Sequence, residues 1–170
     1  PQRARLTDPL FLTRNHSPVR TMPIYFDDLS EGDTRSFGSY DVTEDEVLVF
    51  ASQYDPQWFH TDVERAESES IYGGLIASGW HTAAMTMRMI VDHHLEDAMA
   101  LGALGVDNLR WPNPVFPGET LSVETEVIET RESESRDDRG VVKTRSWTVN
   151  QDGETKMEMT SIVLYARRPE

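Results

Sequence analysis

The sequence contains no cysteine, which excludes both a disulfide framework and a thiolate zinc site. Lysine is nearly absent as well. Lys143 and Lys156 are the only two, and the other fourteen of the sixteen basic side chains are arginines. No stretch approaches the roughly 20 consecutive apolar residues of a membrane-spanning helix, so no membrane partner is expected. Positive charge is short overall, with 30 acidic against 16 basic residues and a formal net charge of −14. Such a surface argues against a nucleic-acid partner, whose footprint would be basic. Abundant carboxylates with few lysines suit a halophilic protein kept soluble in high salt, with an ordinary acidic protein as the alternative.

What is present suits one domain with a proper core, since the chain has 170 residues. Residues 1–21 differ from the rest in holding four arginines and one acid. They lack the continuous apolar core of a secretory signal. They are expected to be a disordered N-terminal extension, with residues 22–170 forming the folded domain in the cytoplasm.

The chemistry concentrates in Tyr54-Asp55-Pro56-Gln57-Trp58-Phe59-His60. Before it, Thr43 and Glu46 form a capping box, and Val47, Phe50, Ala51 and Tyr54 fall on one helical face. Pro56 should end that helix at Asp55. A carboxylate at the negative end of a helix dipole is disfavoured, and burial among Tyr54, Trp58 and Phe59 would raise its pKa further. His60 lies close enough along the chain to share a water with Asp55. Gln57, Ser78 and His81 are candidate supports, His81 being more readily read as a histidine satisfied at a helix–sheet contact.

Tyr72-Gly73-Gly74-Leu75 supplies two glycines that admit close approach of a ligand to the backbone. The apolar run Leu75, Ile76, Ala77, Trp80, Ala83, Ala84 and Met87 predicts a long helix from Leu75 to about Leu95. Free N–H groups at its start would form an oxyanion hole in outline. The methionines along it read as core filler. The adjacent His93 and His94 do not share a helix face, so no metal is expected.

Around these pieces the sequence predicts a strand at 34–42, a short helix from Thr61 or Asp62 to Ala66, a surface loop at 64–70, and strands at 106–111, 120–130, 141–149 and 156–165. In the 141–149 strand, Trp147 and Val149 should share one face. The pattern predicts an α+β fold with one early strand, then four in a meander.

Asp55, His60, the Gly73-Gly74 segment and the loop Trp111-Pro-Asn-Pro-Val-Phe-Pro-Gly-Glu-Thr-Leu121 together resemble the MaoC-like acyl dehydratases, the family of (R)-specific enoyl-CoA hydratases. The family pattern is Asp-x-Asn-Pro-x-His, with Gln57 and Trp58 standing here for Asn and Pro. The resemblance runs from about Tyr25 to Tyr165. It implies a hotdog fold, a curved antiparallel sheet wrapped around one long central helix. It implies Asp55 and His60 as the catalytic pair, with the order of proton transfer open, and the Gly73-Gly74 amides as oxyanion donors. The implied reaction is reversible hydration of a 2-enoyl thioester, with coenzyme A as part of the substrate and no metal or redox cofactor. An acyl-CoA ligand needs a local basic patch, for which Arg88 and Arg110 are candidates. A thioesterase and a non-catalytic acyl-binding subunit are the alternatives. Open sheet edges and an incompletely covered helix predict a homodimer.

Overall fold

The computed structural model describes residues 22–169; the expectation for residues 1–21 lies outside them. A 3₁₀ turn at Phe26–Asp28 leads into β1, Thr34–Asp41. Three helices follow: α1 at Glu44–Tyr54, α2 at Trp58–Thr61 and α3 at Val63–Glu69. The central helix α4 spans Gly79–Ile90 and runs into a π-helical turn at Val91–Leu95. The remaining strands are β2 at Ala100–Arg110, β3 at Thr120–Glu132, β4 at Arg139–Asn150 and β5 at Thr155–Ala166.

The five strands form one antiparallel sheet in the order β1-β3-β4-β5-β2. Only β3, β4 and β5 form a meander. β2 crosses to the far edge and pairs with β5, so the expected four-strand meander is corrected. In β3, Leu121, Val123 and Val127 are buried while Glu124 and Ile128 are exposed, the alternation of a sheet with one covered face. In β4 the buried face is Ser146, Thr148 and Asn150, and Trp147 and Val149 lie on the other side. Polar side chains can take the inner positions because they are bonded there, as in the 2.7 Å contact between Thr86 and Thr148 hydroxyls.

Helix α4 packs on β1, β3 and β5. Its buried face is His81, Thr82, Met85, Thr86 and Met89. Met85 and Met89 join Val47, Ala66, Leu75, Val115, Leu121 and Val123 in the main core. Gly38 in β1 has φ +84°, and a Cβ there would stand 2.7 Å from the Met89 sulfur; only glycine lets the helix lie this close to the strand.

The helix is shorter than the apolar run suggested. Leu75, Ile76 and Ala77 precede it outside any helix, with the Ala77 amide donating to the Val115 carbonyl at 2.8 Å. Ser78 caps the helix by accepting from the Trp80 amide. This start turns Trp80, Ala84 and Met87 outward rather than into the core. Two smaller corrections follow the same logic. Asp62 caps α3 through the Arg65 amide at 3.1 Å, and the helix continues to Glu69, where an Arg65–Glu69 pair at 2.9 Å supports it. β2 also begins earlier than its apolar residues indicated.

Candidate active site

α1 delivers Asp55. Thr43 caps the helix through the Glu46 amide at 3.3 Å, Val47 and Ala51 anchor it in the core, and Asp55 is its C-terminal cap. Of the three aromatics expected around Asp55, Tyr54 is exposed, Trp58 carries the Arg65 guanidinium 4.4 Å from its ring centroid, and Phe59 lines the same cleft as Asp55. Asp55 Oδ2 accepts from the Ser78 hydroxyl at 2.7 Å and Oδ1 from the Gln57 amide at 2.8 Å. Burial is the largest single influence on the Asp55 pKa and pushes it up. The bonds from Ser78 and Gln57 and the nearby His60 together outweigh it, leaving the carboxyl below its ordinary 3.8. The expected upward shift is therefore corrected: the helix end disfavours an anion, but two hydrogen-bond donors aimed at the charged form decide the sign.

α2 delivers His60, whose side chain is 6 % exposed. Its Nδ1 lies 2.8 Å from the Ile76 carbonyl oxygen. A carbonyl can only accept, so Nδ1 carries the hydrogen and Nε2 of the neutral ring presents its lone pair. Nε2 is 3.5 Å from Oδ2 of Asp55. The arrangement is two acceptors side by side, with every other polar atom of the pair already engaged by the protein.

A cleft of about 380 Å³ opens onto this pair. Phe59, Tyr72, Trp80 and Trp111 supply aromatic walls, and Gly79, Asn113 and Val115 complete the end near α4. Gly79 is required where it stands. Trp111 packs on it so closely that a Cβ would meet the indole at 2.7 Å.

Gln57 and Ser78 thus come together with Asp55 and His60, as the sequence suggested. His81 does not. It stacks on Phe50 with ring centroids 4.6 Å apart and is not among the cleft-lining residues. Nor do Gly73 and Gly74 head the helix. The Gly73 amide donates to the Ser70 carbonyl at 3.0 Å, a tight turn that consumes the group expected to face a thioester. At the head of α4 the Trp80 amide is taken by Ser78, and Gly79, the first residue of the helix, lines the cleft. Arg88 is paired with Asp92 at 2.8 Å. His93 lies near the Phe37 ring and His94 bonds the Tyr165 hydroxyl at 3.1 Å. Sequence reasoning missed Asn113, whose amide ties the loop after β2 to the Thr155 carbonyl at 2.9 Å, and the role of Gly79. The Ser-Gly start of the helix was the available signal for the latter.

The architecture is the hotdog fold. A conserved hypothetical protein of Mycobacterium tuberculosis with a double hotdog fold superposes with a TM-score of 0.74 at 18 % identity, over 87 % of this chain and 46 % of its own. Residues 29–151 match the MaoC like domain, and the chain belongs to the MaoC-like dehydratase family. The MaoC-like dehydratase of Rhodospirillum rubrum is similar at 43 % identity, with a TM-score of 0.79 over 86 % of this chain and 99 % of that one. A mesaconyl-CoA hydratase of Cereibacter sphaeroides is 39 % identical over 69 residues, which span 41 % of this chain and 20 % of that protein. Among the described residues, no helix is long and apolar enough to cross a membrane.

Proposed function

We propose that the protein catalyses reversible hydration of a 2-enoyl thioester, most readily an enoyl-CoA, giving an (R)-3-hydroxyacyl thioester. The observation that carries this is the fixed tautomer of His60 beside the ionised Asp55, two acceptors 3.5 Å apart at the head of a helix. A water held between them has its hydrogens directed at Nε2 and Oδ2 and its oxygen lone pair free for C3. His60 Nε2 takes a proton as the C3–O bond forms. The C2=C3 electron pair moves to an enolate, and the thioester oxygen carries the new charge. The Gly79 amide at the first turn of α4, with the positive end of the helix dipole behind it, stabilises that charge. The imidazolium, held beside the Asp55 carboxylate, returns the proton to C2 and regenerates the neutral ring. Ser78 and Gln57 keep Asp55 ionised throughout, which makes it the stabiliser of the imidazolium and His60 the base. No metal or redox group enters this sequence.

The same reading makes the protein a cytoplasmic homodimer with its clefts near the subunit contact. β2 is an edge strand carrying exposed Leu101, Leu104 and Val106, and Met87 and Val91 are exposed on the adjoining helix. A second apolar cavity of about 240 Å³, lined by residues of β2 and the far end of α4, does not include Asp55 or His60 in its lining. A second copy would cover this face, as the double hotdog of the Mycobacterium protein places two such units in one chain.

Incubation with crotonyl-CoA tests the activity. Loss of enoyl absorbance without release of free thiol is the expected result. Thiol release identifies a thioesterase, and no change in either, across short, branched and dicarboxylic enoyl-CoAs including mesaconyl-CoA, identifies a binding subunit.

A further inference from the structure

One buried ionised group has no place in the mechanism above. Lys156, at the start of β5, has a side chain only 2 % exposed. Its ammonium has three hydrogens and finds three acceptors: the Pro114 carbonyl at 2.9 Å, Glu119 Oε1 at 2.8 Å and Glu154 Oε2 at 2.6 Å. Glu119 is engaged further, its Oε1 by the Asn150 amide at 2.8 Å and its Oε2 by the Phe116 backbone N–H at 2.9 Å. Burial disfavours the ammonium, but the two carboxylates more than offset this and hold its pKa above the ordinary lysine value. In a chain that otherwise favours arginine fourteen to two, a planar guanidinium could not present its donors to three acceptors arranged around a point.

The cluster grips the loop on both sides of Val115. Pro114 is held by Lys156 and Phe116 by Glu119. The Val115 carbonyl accepts the Ala77 amide at 2.8 Å. Ala77 lies between Ile76, whose carbonyl accepts from His60 Nδ1 at 2.8 Å, and Ser78, whose hydroxyl donates to Asp55 at 2.7 Å. Two short backbone segments therefore join the buried ammonium to both members of the catalytic pair. Each link is a hydrogen bond or ion pair of ordinary length, with no mobile side chain between the ammonium and the segment that holds the pair.

We propose that Lys156, acting with Glu119 through Val115 and the 76–78 segment, is a positioning residue that sets the spacing and tautomer of the Asp55–His60 pair. Asn113, Pro114 and Val115 also line the cleft, so the same cluster fixes one wall against which the acyl group lies. This role rests on the hydration reading only for its effect on turnover. Its effect on His60 is independent of what the enzyme converts.

The absence of native cysteine permits a chemical test. In Lys156→Cys the new thiol is unique. Alkylation with 2-bromoethylamine in denaturant, followed by refolding, restores an ammonium at nearly the same place. The readouts are kcat and KM for the enoyl-CoA that the wild type hydrates, the pH profile of kcat, and the imidazole Nδ1–H proton resonance of His60, assigned by its loss in His60→Ala. In the refolded cysteine form, kcat falls on the order of tenfold or more with a smaller change in KM, and the Nδ1–H resonance shifts or broadens. Aminoethylation restores kcat to within about threefold of wild type and returns the resonance. Glu119→Gln, which keeps shape and removes charge, gives the same loss and serves where the cysteine form does not refold. Unchanged resonance and unchanged kcat in the folded Glu119→Gln or Lys156→Cys protein overturn the proposal, even if melting temperature falls. An altered resonance in a protein with no turnover on any enoyl thioester upholds the positioning role and removes the hydration reading instead.

Discussion

The Ser78 hydroxyl donates to Oδ2 of Asp55 at 2.7 Å across 23 residues of sequence. The same oxygen accepts the Trp80 amide and so begins the central helix. One side chain thus caps α4 and holds the carboxylate ionised, which couples the position of the helix head to the charge state of the site.

Replacing Ser78 with alanine separates the two jobs. Removing a donor to the charged form raises the Asp55 pKa, so its carboxyl carbon titrates at higher pH in the variant. Turnover at neutral pH falls on the order of tenfold, and the lost cap lowers stability by about 1 kcal/mol. A carbon NMR titration, a turnover assay and a thermal melt check the three effects. A carboxyl that titrates where it does in the wild type would show that the bond from Ser78 does not govern its ionisation.

Asp55→Asn and His60→Ala each lower hydration turnover by about a hundredfold or more in protein that still folds. The asparagine variant retains the shape but cannot stabilise an imidazolium. Circular dichroism establishes folding and the enoyl-CoA assay reads the loss. Near-wild-type turnover in either variant removes that residue from the mechanism.

The exposed apolar edge gives a prediction about assembly. Leu104 on β2 is 61 % exposed, and Leu104→Glu places a charge where two subunits would meet. The wild type should scatter light as a dimer, more tightly with added salt because the acidic surfaces repel. The variant should be a monomer with reduced activity. A wild-type monomer that is fully active at low salt would refute the shared interface.

Stability should be lost at both extremes of pH. The Asp55 and Glu119 carboxyls are held below their ordinary values of 3.8 and 4.5. Their contribution is present above those values and disappears as pH falls through the lower folded-state values. Lys156 is held above its ordinary 10.5, so its contribution is complete below that pH and is lost as pH rises through the higher folded-state value. Burial holds His81 and His94 below their ordinary 6.5 and pushes Tyr40 and Tyr165 up to about 12, so the unfolded chain charges these groups first. Melting temperature should therefore begin to fall on acidification below about pH 6.5, fall further below about pH 4.5, and fall on the alkaline side from about pH 10. In Lys156→Met the alkaline fall should be diminished but not abolished, because Tyr40 and Tyr165 still titrate there.

Much of the site could be read from residue order because it is local. Thr43, Glu46 and Pro56 bound α1, and that alone places Asp55 at its end with His60 just beyond. The sheet was legible from alternation in Leu121, Val123 and Val127. The misplaced parts depend on contacts distant in sequence. The sign of the Asp55 shift is decided by Ser78, and the true start of α4 by the bond between Ala77 and Val115. The outward turn of Met87 and Trp80 follows from that start, and the edge position of β2 follows from pairing with β5. Lys156 offered no local sign of burial, since its three acceptors come from two separate stretches of chain.

The isolation of Lys156 also makes it a clock. The chain has one other lysine, Lys143, whose side chain is a third exposed and remains open to amine reagents. Labelling at Lys156 requires the loop around Pro114 to let go first. The slow modification rate at one residue, set against the fast rate at the other in the same molecule, therefore measures how often the wall of the cleft opens.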